Sequence, residues 1–224
     1  MHGFTHESAN NPIHLYVSDA IALGPGLALQ GVRMRYERNE EIFGEGEPAD
    51  HVYRVVSGAV RTMRFSSDGR RQILAFHFPG DVFGLEPGQR HGLSAEAVGD
   101  SEVSLVRRSL IDTAAAQDVG AARGLLELMS RELRNAQEHA FLLGRKGAGE
   151  RVAAFLLQLG ARAASRCEID LPMSRSDIAD YLALTIETVS RAFTQMERDH
   201  AIDLPSSRHV IVRNRSALEL LEAA

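Results

Sequence analysis

The sequence lacks most of what a metalloprotein, a secreted protein or a membrane protein needs. It has one cysteine, Cys167, in 224 residues. A single thiol closes no intramolecular disulfide, so a reducing, cytoplasmic setting is expected. Nor can one thiol hold an iron–sulfur cluster, which takes several ligands. The nine histidines are scattered without zinc-type spacing, and no metal is expected. No apolar run reaches the roughly 18–20 residues that span a bilayer. The first residues show no basic segment leading into an apolar core and a small-residue cleavage site, so neither a signal peptide nor a membrane partner is expected. No Ser-His-Asp set or phosphate loop is visible, which argues against an enzyme. Lysine is nearly absent: Lys146 is alone among 25 basic residues. That arginine excess reflects base composition more than function.

Excess positive charge is also missing. The net charge is −5 and the isoelectric point about 6.0, which by itself disfavours a chain that coats nucleic acid. The distribution is more informative. Residues 1–144 hold 14 basic and 19 acidic side chains, whereas residues 145–224 hold 11 of each. Any nucleic-acid binding by the second part must come from a few arginines placed on one face. What is present is ordinary globular material, 44% hydrophobic and 25% charged. Its length suits one large domain or two ordinary ones.

Residues 1–26 are polar and read as an irregular N-terminal arm, with Pro12 and a Gly24-Pro25-Gly26 turn. Residues 27–117 alternate short apolar runs with turn signals. Runs at 42–43, 51–56, 59–65, 72–78, 95–98 and 102–106 are separated by stretches such as Gly44-Glu45-Gly46, Ser57-Gly58, Asp68-Gly69 and Pro79-Gly80-Asp81. Short strands at that spacing predict an antiparallel sandwich or barrel. From 118 to 144 the period changes. Ala122, Leu126, Met129, Leu133, Ala136, Ala140 and Leu143 fall at intervals of 4, 3, 4, 3, 4 and 3. This is an a/d seam for a partner helix, so a homodimer is expected. Leu125 and Leu128 widen the stripe near its start. Three glycines in residues 144–149 break the helix. A second helix is predicted over 150–165, then a short strand and turn to 172.

Residues 173–213 carry the functional signal. Ser174 with Asp177 three residues on reads as a capping-box start. Ile178, Ala179 and Leu182 form an inner face. Leu182-Ala183-Leu184 turns the chain, and Thr185 caps a second helix running to about 199, with Val189, Ala192 and Phe193 inward. This is the packing pattern of a helix-turn-helix, in which small Ala179 lets two helices cross closely. Glycine often holds the turn position occupied by Ala183. In a left-handed conformation alanine costs about 1–2 kcal/mol there. Residues 201–204 and 209–212, around Pro205-Ser206-Ser207, read as a hairpin, which makes the arrangement winged.

The second helix would present Ile186, Glu187, Thr188, Ser190 and Arg191. Residues at the start of a recognition helix are those that reach base edges. Arg191 can fork to guanine O6 and N7, and Glu187 can accept from cytosine N4. The two stand four apart and project from one face. Ile186 and Thr188 can touch thymine methyl groups. Ser174, Arg175, Thr185, Ser207 and Arg208 are the candidates for phosphate contacts.

These residues resemble the CRP/FNR family of bacterial transcription regulators, from roughly residue 20 to 215. The resemblance rests on the glycine-punctuated roll (Gly46, Tyr53, Gly58, Pro79-Gly80-Asp81, Gly84), the long helix and the winged helix-turn-helix. It implies an α+β fold: a jelly-roll-like β-roll of the cyclic-nucleotide-binding type, a dimerisation helix at 118–144, and a DNA-binding domain at 145–224. It also implies a homodimer on a palindrome in double-stranded DNA, with RNA polymerase recruited nearby. Glu187-Thr188-Val189-Ser190-Arg191 resembles the E-x-x-S-R string of the FNR and FixK branch, which reads TTGA-like half-sites.

Two departures narrow the placement. Cyclic-nucleotide binders of this fold carry F-G-E and then R-S/T-A, with the arginine on the cyclic phosphate. Here Phe83-Gly84 is followed by Leu85, and Leu93 precedes Ser94-Ala95. Glu86 and Arg90 stand nearby but out of register. FNR-type oxygen sensors carry an N-terminal cysteine cluster, which this sequence lacks. What remains resembles the FixK type: an activator without a recognised cofactor, serving microaerobic, anaerobic or nitrogen-fixation programmes. The alternative is a family member whose β-roll binds a small ligand or haem, with His77 as the candidate haem residue. Cys167 reads as an inert thiol, since a redox switch needs exposure and a lowered pKa.

Overall fold

Short runs rich in valine, phenylalanine and tyrosine become nine strands ahead of the first helix, in a computed structural model that describes residues 17–24, 26–86, 88–162, 165 and 167–223. They are β1 (Val17–Gly24), β2 (Leu27–Tyr36), β3 (Glu41–Phe43), β4 (His51–Ser57), β5 (Val60–Phe65), β6 (Arg71–His77), β7 (Val82–Phe83), β8 (Ser94–Ala97) and β9 (Ser101–Arg107). Every pairing among them is antiparallel. One sheet has the order β1-β2-β9-β4-β7 and the other β3-β8-β5-β6. Alternation along each strand sorts side chains to two faces. Tyr53 and Val55 of β4 face the second sheet, in a core with Phe43, Val60, Phe83 and Val103. Val52, one residue earlier, faces the helices with Ile21, Val82, Val106 and Ile111. Full burial of each such side chain is worth about 1.5–3 kcal/mol.

Residues 17–24 correct the expectation of an irregular arm over 1–26. They pair with β2 from Val17↔Arg33 to Gly24↔Leu27. Ile21 and Leu23, alternating inward, are buried. Pro12 and the rest of residues 1–16, like Pro25 of the turn, lie outside the described residues. Gly58 and Gly84 are each required both sterically and by a positive φ. Gly58 has φ +79 and a Cβ there would collide with Ser101. Gly84 has φ +78, with the Tyr53 ring 2.7 Å from where its Cβ would sit.

Two helices follow the roll. α1 (Arg108–Gln117) was not apparent in the sequence; it buries only Ile111, and its alanine run has no apolar period. α2 (Val119–Arg145) is 27 residues long, capped by the Asp118 carboxylate, which accepts from the Ala121 N–H at 2.7 Å. Its two faces divide sharply. Ala121 and Leu128 are buried against the roll, with Leu125 packed on the same cluster. Leu125 and Leu128 therefore belong to the inward face and do not widen the seam. Leu126, Met129 and Leu133 are 65%, 46% and 60% exposed, and Ala136 and Ala140 are exposed with them. Ala122 and Leu143 are half-buried. Val119, three residues before Ala122, extends the outer stripe at 80% exposure.

The glycine-rich break is shorter than expected. α2 runs through Gly144, and α3 (Ala148–Arg162) starts after two residues; it replaces the expected helix over 150–165. Arg151 pins the joint. Its guanidinium donates to the Leu143 and Lys146 carbonyls, each at 2.9 Å, and to Leu182 O at 2.9 Å. Then come β10 (Glu168–Asp170), α4 (Arg175–Leu182), α5 (Ile186–Arg198), β11 (Ile202–Ser206), β12 (His209–Val212) and α6 (Arg215–Ala223). The three strands form a small sheet, β10-β12-β11. α6 was also not apparent in the sequence; it buries Leu218 in the core shared with α3, α4 and α5.

Candidate nucleic-acid interface

The two short helices are built as their caps dictate. The Asp177 N–H donates to Ser174 Oγ at 3.1 Å, and the Ser174 N–H donates to Asp177 Oδ2 at 3.0 Å, a closed capping box at the start of α4. α4 ends on Ala183 at φ 51 and ψ 49, the left-handed turn that alanine tolerates at a cost. Thr185 then caps α5: the Thr188 N–H donates to its Oγ1 at 3.2 Å. Val189, Phe193 and Met196 are buried, which fixes the rotation of α5 and turns the opposite face outward.

That outward face holds the residues expected to read bases. Glu187, Ser190 and Arg191 are exposed, and Ile186 is 46% exposed. Thr188 is half-buried, and its hydroxyl lies 3.1 Å from Thr185 Oγ1, so part of its bonding capacity serves the cap. Among the described residues Glu187 and Arg191 make no ion pair with each other, unlike Arg215 and Glu219, four apart on α6 at 2.8 Å. The Glu187 carboxylate is held below its usual pKa by its own backbone N–H and by the Thr185 hydroxyl. It is therefore charged at neutral pH, and a carboxylate has acceptor sites to spare.

The expected phosphate residues divide into two groups. Ser207 and Arg208 form the exposed wing turn between β11 and β12. Arg208 Nη1 donates to Pro172 O at 3.2 Å, which ties the wing to the segment leading into α4. Ser174 and Arg175 are half-buried and already engaged. The Ser174 hydroxyl donates to Asp177 at 2.8 Å. The Arg175 guanidinium stacks on Phe193, 3.3 Å from the ring centroid. Burial lowers its pKa to about 10, and its Nη1 is buried without a hydrogen-bond partner. Cys167, on the approach to β10, is exposed.

The β-roll contains a different kind of surface. A cavity of about 520 Å³ lies between it, α2, α3 and α4. Leu85 and Leu93, the residues that replace the family's glutamate and arginine, are on its wall. Among the described residues, the one arginine or lysine of the lining, Arg162, is held by both Asp81 carboxylate oxygens at 2.6 Å. The displaced candidates are also occupied. Glu86 accepts from His91 Nδ1 at 3.2 Å, and Arg90 donates to Gly46 O at 2.5 Å. Among the described residues no free arginine or lysine on this wall can meet a cyclic phosphate. His77 also lines the cavity. It lies 3.1 Å from Thr62 Oγ1, stacks on Phe83, and is buried enough that its pKa drops to about 4. It is a core histidine with its Nε2 engaged. Among the described residues no group of three metal ligands occurs.

Comparison with known proteins agrees with both halves. Residues 150–221 match the Crp-like helix-turn-helix domain and residues 33–118 the cyclic nucleotide-binding domain. The nitrogen fixation regulation protein FixK of Azorhizobium caulinodans is 49% identical over 202 residues, 88% of this chain and 82% of that one. FixK of Rhizobium meliloti is 40% identical, covering 89% and 92%. The solved structure of FixK2 from Bradyrhizobium japonicum matches with a TM-score of 0.85 at 52% identity, over 88% of this chain and 99% of that chain. A Crp-type reading domain on a cyclic-nucleotide-type roll defines a DNA-binding transcriptional activator, not an enzyme. The chain belongs to the CRP/FNR family, in its FixK-type branch. Among the described residues no helix is long and apolar enough to cross a membrane.

Proposed function

We propose that this protein acts as a homodimer on a TTGA-like palindrome and recruits RNA polymerase there, in a microaerobic, anaerobic or nitrogen-fixation programme. Glu187, Ser190 and Arg191 read base edges, with Ile186 and Thr188 against thymine methyl groups. Thr185, Ser207 and Arg208 hold the backbone, with Ser174 and Arg175 beside them. The observation that carries the reading is the outward face of α5: a charged Glu187 and an Arg191 four residues apart, exposed and not paired with each other. The dimer is supported by the exposed apolar stripe of α2, from Val119 through Leu126, Met129 and Leu133. The programme is supported by the names of the FixK relatives. No cyclic nucleotide is needed in this reading, which is supported by the cavity wall: Leu85 and Leu93 stand on it, and Arg162 is engaged by Asp81. In vitro selection of bound DNA, with no effector added, tests the site, its symmetry and its independence of an effector together. Recovery of a two-fold-related site is the expected result; enrichment of single half-sites, or of no sequence, overturns it.

A second reading is favoured by the cavity. Its walls are mainly apolar and its volume suits a small neutral molecule. In that case DNA binding depends on a bound ligand. Native mass spectrometry and an absorption spectrum of the purified protein separate the two readings. A stoichiometric ligand or a haem band supports the second.

A further inference from the structure

A buried polar cluster among the described residues lies on neither functional surface. It joins the roll to the first helix of the reading domain, across 116 residues of sequence. Arg61 of β5 is 5% exposed and Asp177 of α4 is 5% exposed. Arg61 Nη1 donates to Asp177 Oδ1 at 3.2 Å; its other nitrogens are held by Glu96 at 2.5 and 3.1 Å and by Asn39 at 3.1 Å. Arg71 of β6 donates to Asp177 at 2.7 Å and to Asp180 at 2.8 Å. The neighbouring Gln72 amide donates to the Asp180 carbonyl at 2.6 Å.

A buried ion pair is a poor source of net stability, because desolvation offsets most of the attraction. It is strongly directional, however, since each guanidinium fork donates to carboxylates only in its own plane. The cluster therefore fixes the position of α4. Asp177 is also the N3 residue of the α4 capping box, so the clamp holds the helix at its own N-terminus. Meanwhile α2 leaves its outer stripe uncovered, and the roll leaves the outward face of α5 uncovered. The clamped arrangement is thus one in which pairing and reading are both unobstructed. A dimer reads two half-sites only if its two recognition helices stand about one DNA turn, roughly 34 Å, apart. The two-residue joint between α2 and α3 is pinned by Arg151 on one side and leaves the other side to this clamp.

From this geometry we infer that Arg61 and Arg71 are positioning residues for DNA recognition: they lock the reading domain to the roll and so set the half-site spacing the dimer accepts. The inference rests on the dimer-on-palindrome reading above.

The test is a set of duplexes in which two fixed half-sites are separated by spacers of varied length, with binding measured for the full-length protein. Wild type should prefer one spacer. Arg71→Ala should stay dimeric and select the same half-site bases, but bind the best spacer roughly tenfold or more weakly, with a flattened spacer preference. Arg71→Lys, which keeps a cation between Asp177 and Asp180, should restore part of the preference, whereas Arg71→Met, which keeps the packing alone, should not. Should Arg71→Ala fold poorly, Asp180→Asn is near-isosteric, partly exposed, and should flatten the spacer profile in the same direction. If both single variants fold and keep the wild-type affinity and spacer preference, the proposal is wrong while the dimer reading stands. If wild type itself prefers no spacer, the dimer reading falls and takes the proposal with it.

Discussion

The cavity of the roll and the outward face of α5 treat charge in opposite ways. On the cavity wall, burial lowers the pKa of His77 and His139 and raises those of Glu132 and Tyr181. All four are driven towards the neutral form. On α5, hydrogen bonds hold Glu187 below its usual pKa and keep it ionised. Yet the acidic excess of the sequence belongs to residues 1–144, and residues 145–224 are neutral in sum. Net charge therefore says little about where a polyanion binds. Placement decides: one half drives four groups of its cavity wall towards the neutral form and pairs Arg162 there with Asp81, and the other presents a few ions on one helix face.

The largest expected effect removes the means by which two reading faces act together. Leu126→Glu with Leu133→Glu places charge in the middle of the exposed α2 stripe. Neither side chain packs in the chain's own core, so the roll and its cavity should survive. Sedimentation should show a monomer, and affinity for a palindrome should fall by roughly 100-fold or more, the loss expected when two linked contacts become independent. An intact dimer would refute the seam.

Next in size is the reading face itself. Arg191→Ala should cost about 1–3 kcal/mol of binding and relax selection at one guanine. Loss that is equal on all sequences would instead make Arg191 a phosphate contact. Total binding should also fall steeply with salt in wild type.

How much of this contrast could be read in the sequence follows from the range of each signal. The Ser174–Asp177 box, the Thr185 cap and the left-handed Ala183 are set by residues within a few positions of one another, and all stand as read. The α2 stripe is also local, since a helical period reveals a face. A period does not say which neighbour each face meets, so the sequence alone cannot separate Leu125 and Leu128, which pack on the roll, from the seam. α1 and α6 are short and bury Ile111 and Leu218 respectively, which leaves almost no period to detect. β7 is two residues long. The Arg61–Asp177 clamp and the cavity depend on contacts between distant segments, for which one sequence carries no signal.

The cavity half has its own test, in pH. His77 titrates near 6.5 in an unfolded chain and at about 4 in the fold. Its folded pKa is depressed, so its contribution is complete above pH 6.5 and declines as pH falls towards 4. Between pH 7 and pH 5 this amounts to about 2 kcal/mol of unfolding free energy. His77→Gln can keep the hydrogen bond to Thr62 and carries no titrating ring. Urea unfolding at the two pH values should show that much less pH dependence in the variant. An unchanged pH dependence would mean that His77 is hydrated in the fold, and that burial does not hold this part of the cavity wall neutral.

The smallest effect tests whether the reading half carries strain that its function does not require. Ala183 sits at φ 51, exposed, at the C-terminal end of α4. An L-residue with a Cβ costs about 1–2 kcal/mol there. Glycine relieves that strain but adds freedom to the unfolded chain, which takes back about 0.4–1 kcal/mol. Ala183→Gly should therefore stabilise the protein by about 0.5–1 kcal/mol, measurable as a shifted urea midpoint with an unchanged slope. The helix crossing itself is set by Ala179, Val189 and Phe193, which glycine at 183 does not touch. DNA affinity and half-site preference should then stay as in wild type. If the variant is more stable but reads DNA less selectively, the turn's stiffness is itself part of recognition. The rigid orientation of α4 and α5 would then rank beside the side chains of α5 in deciding what is read.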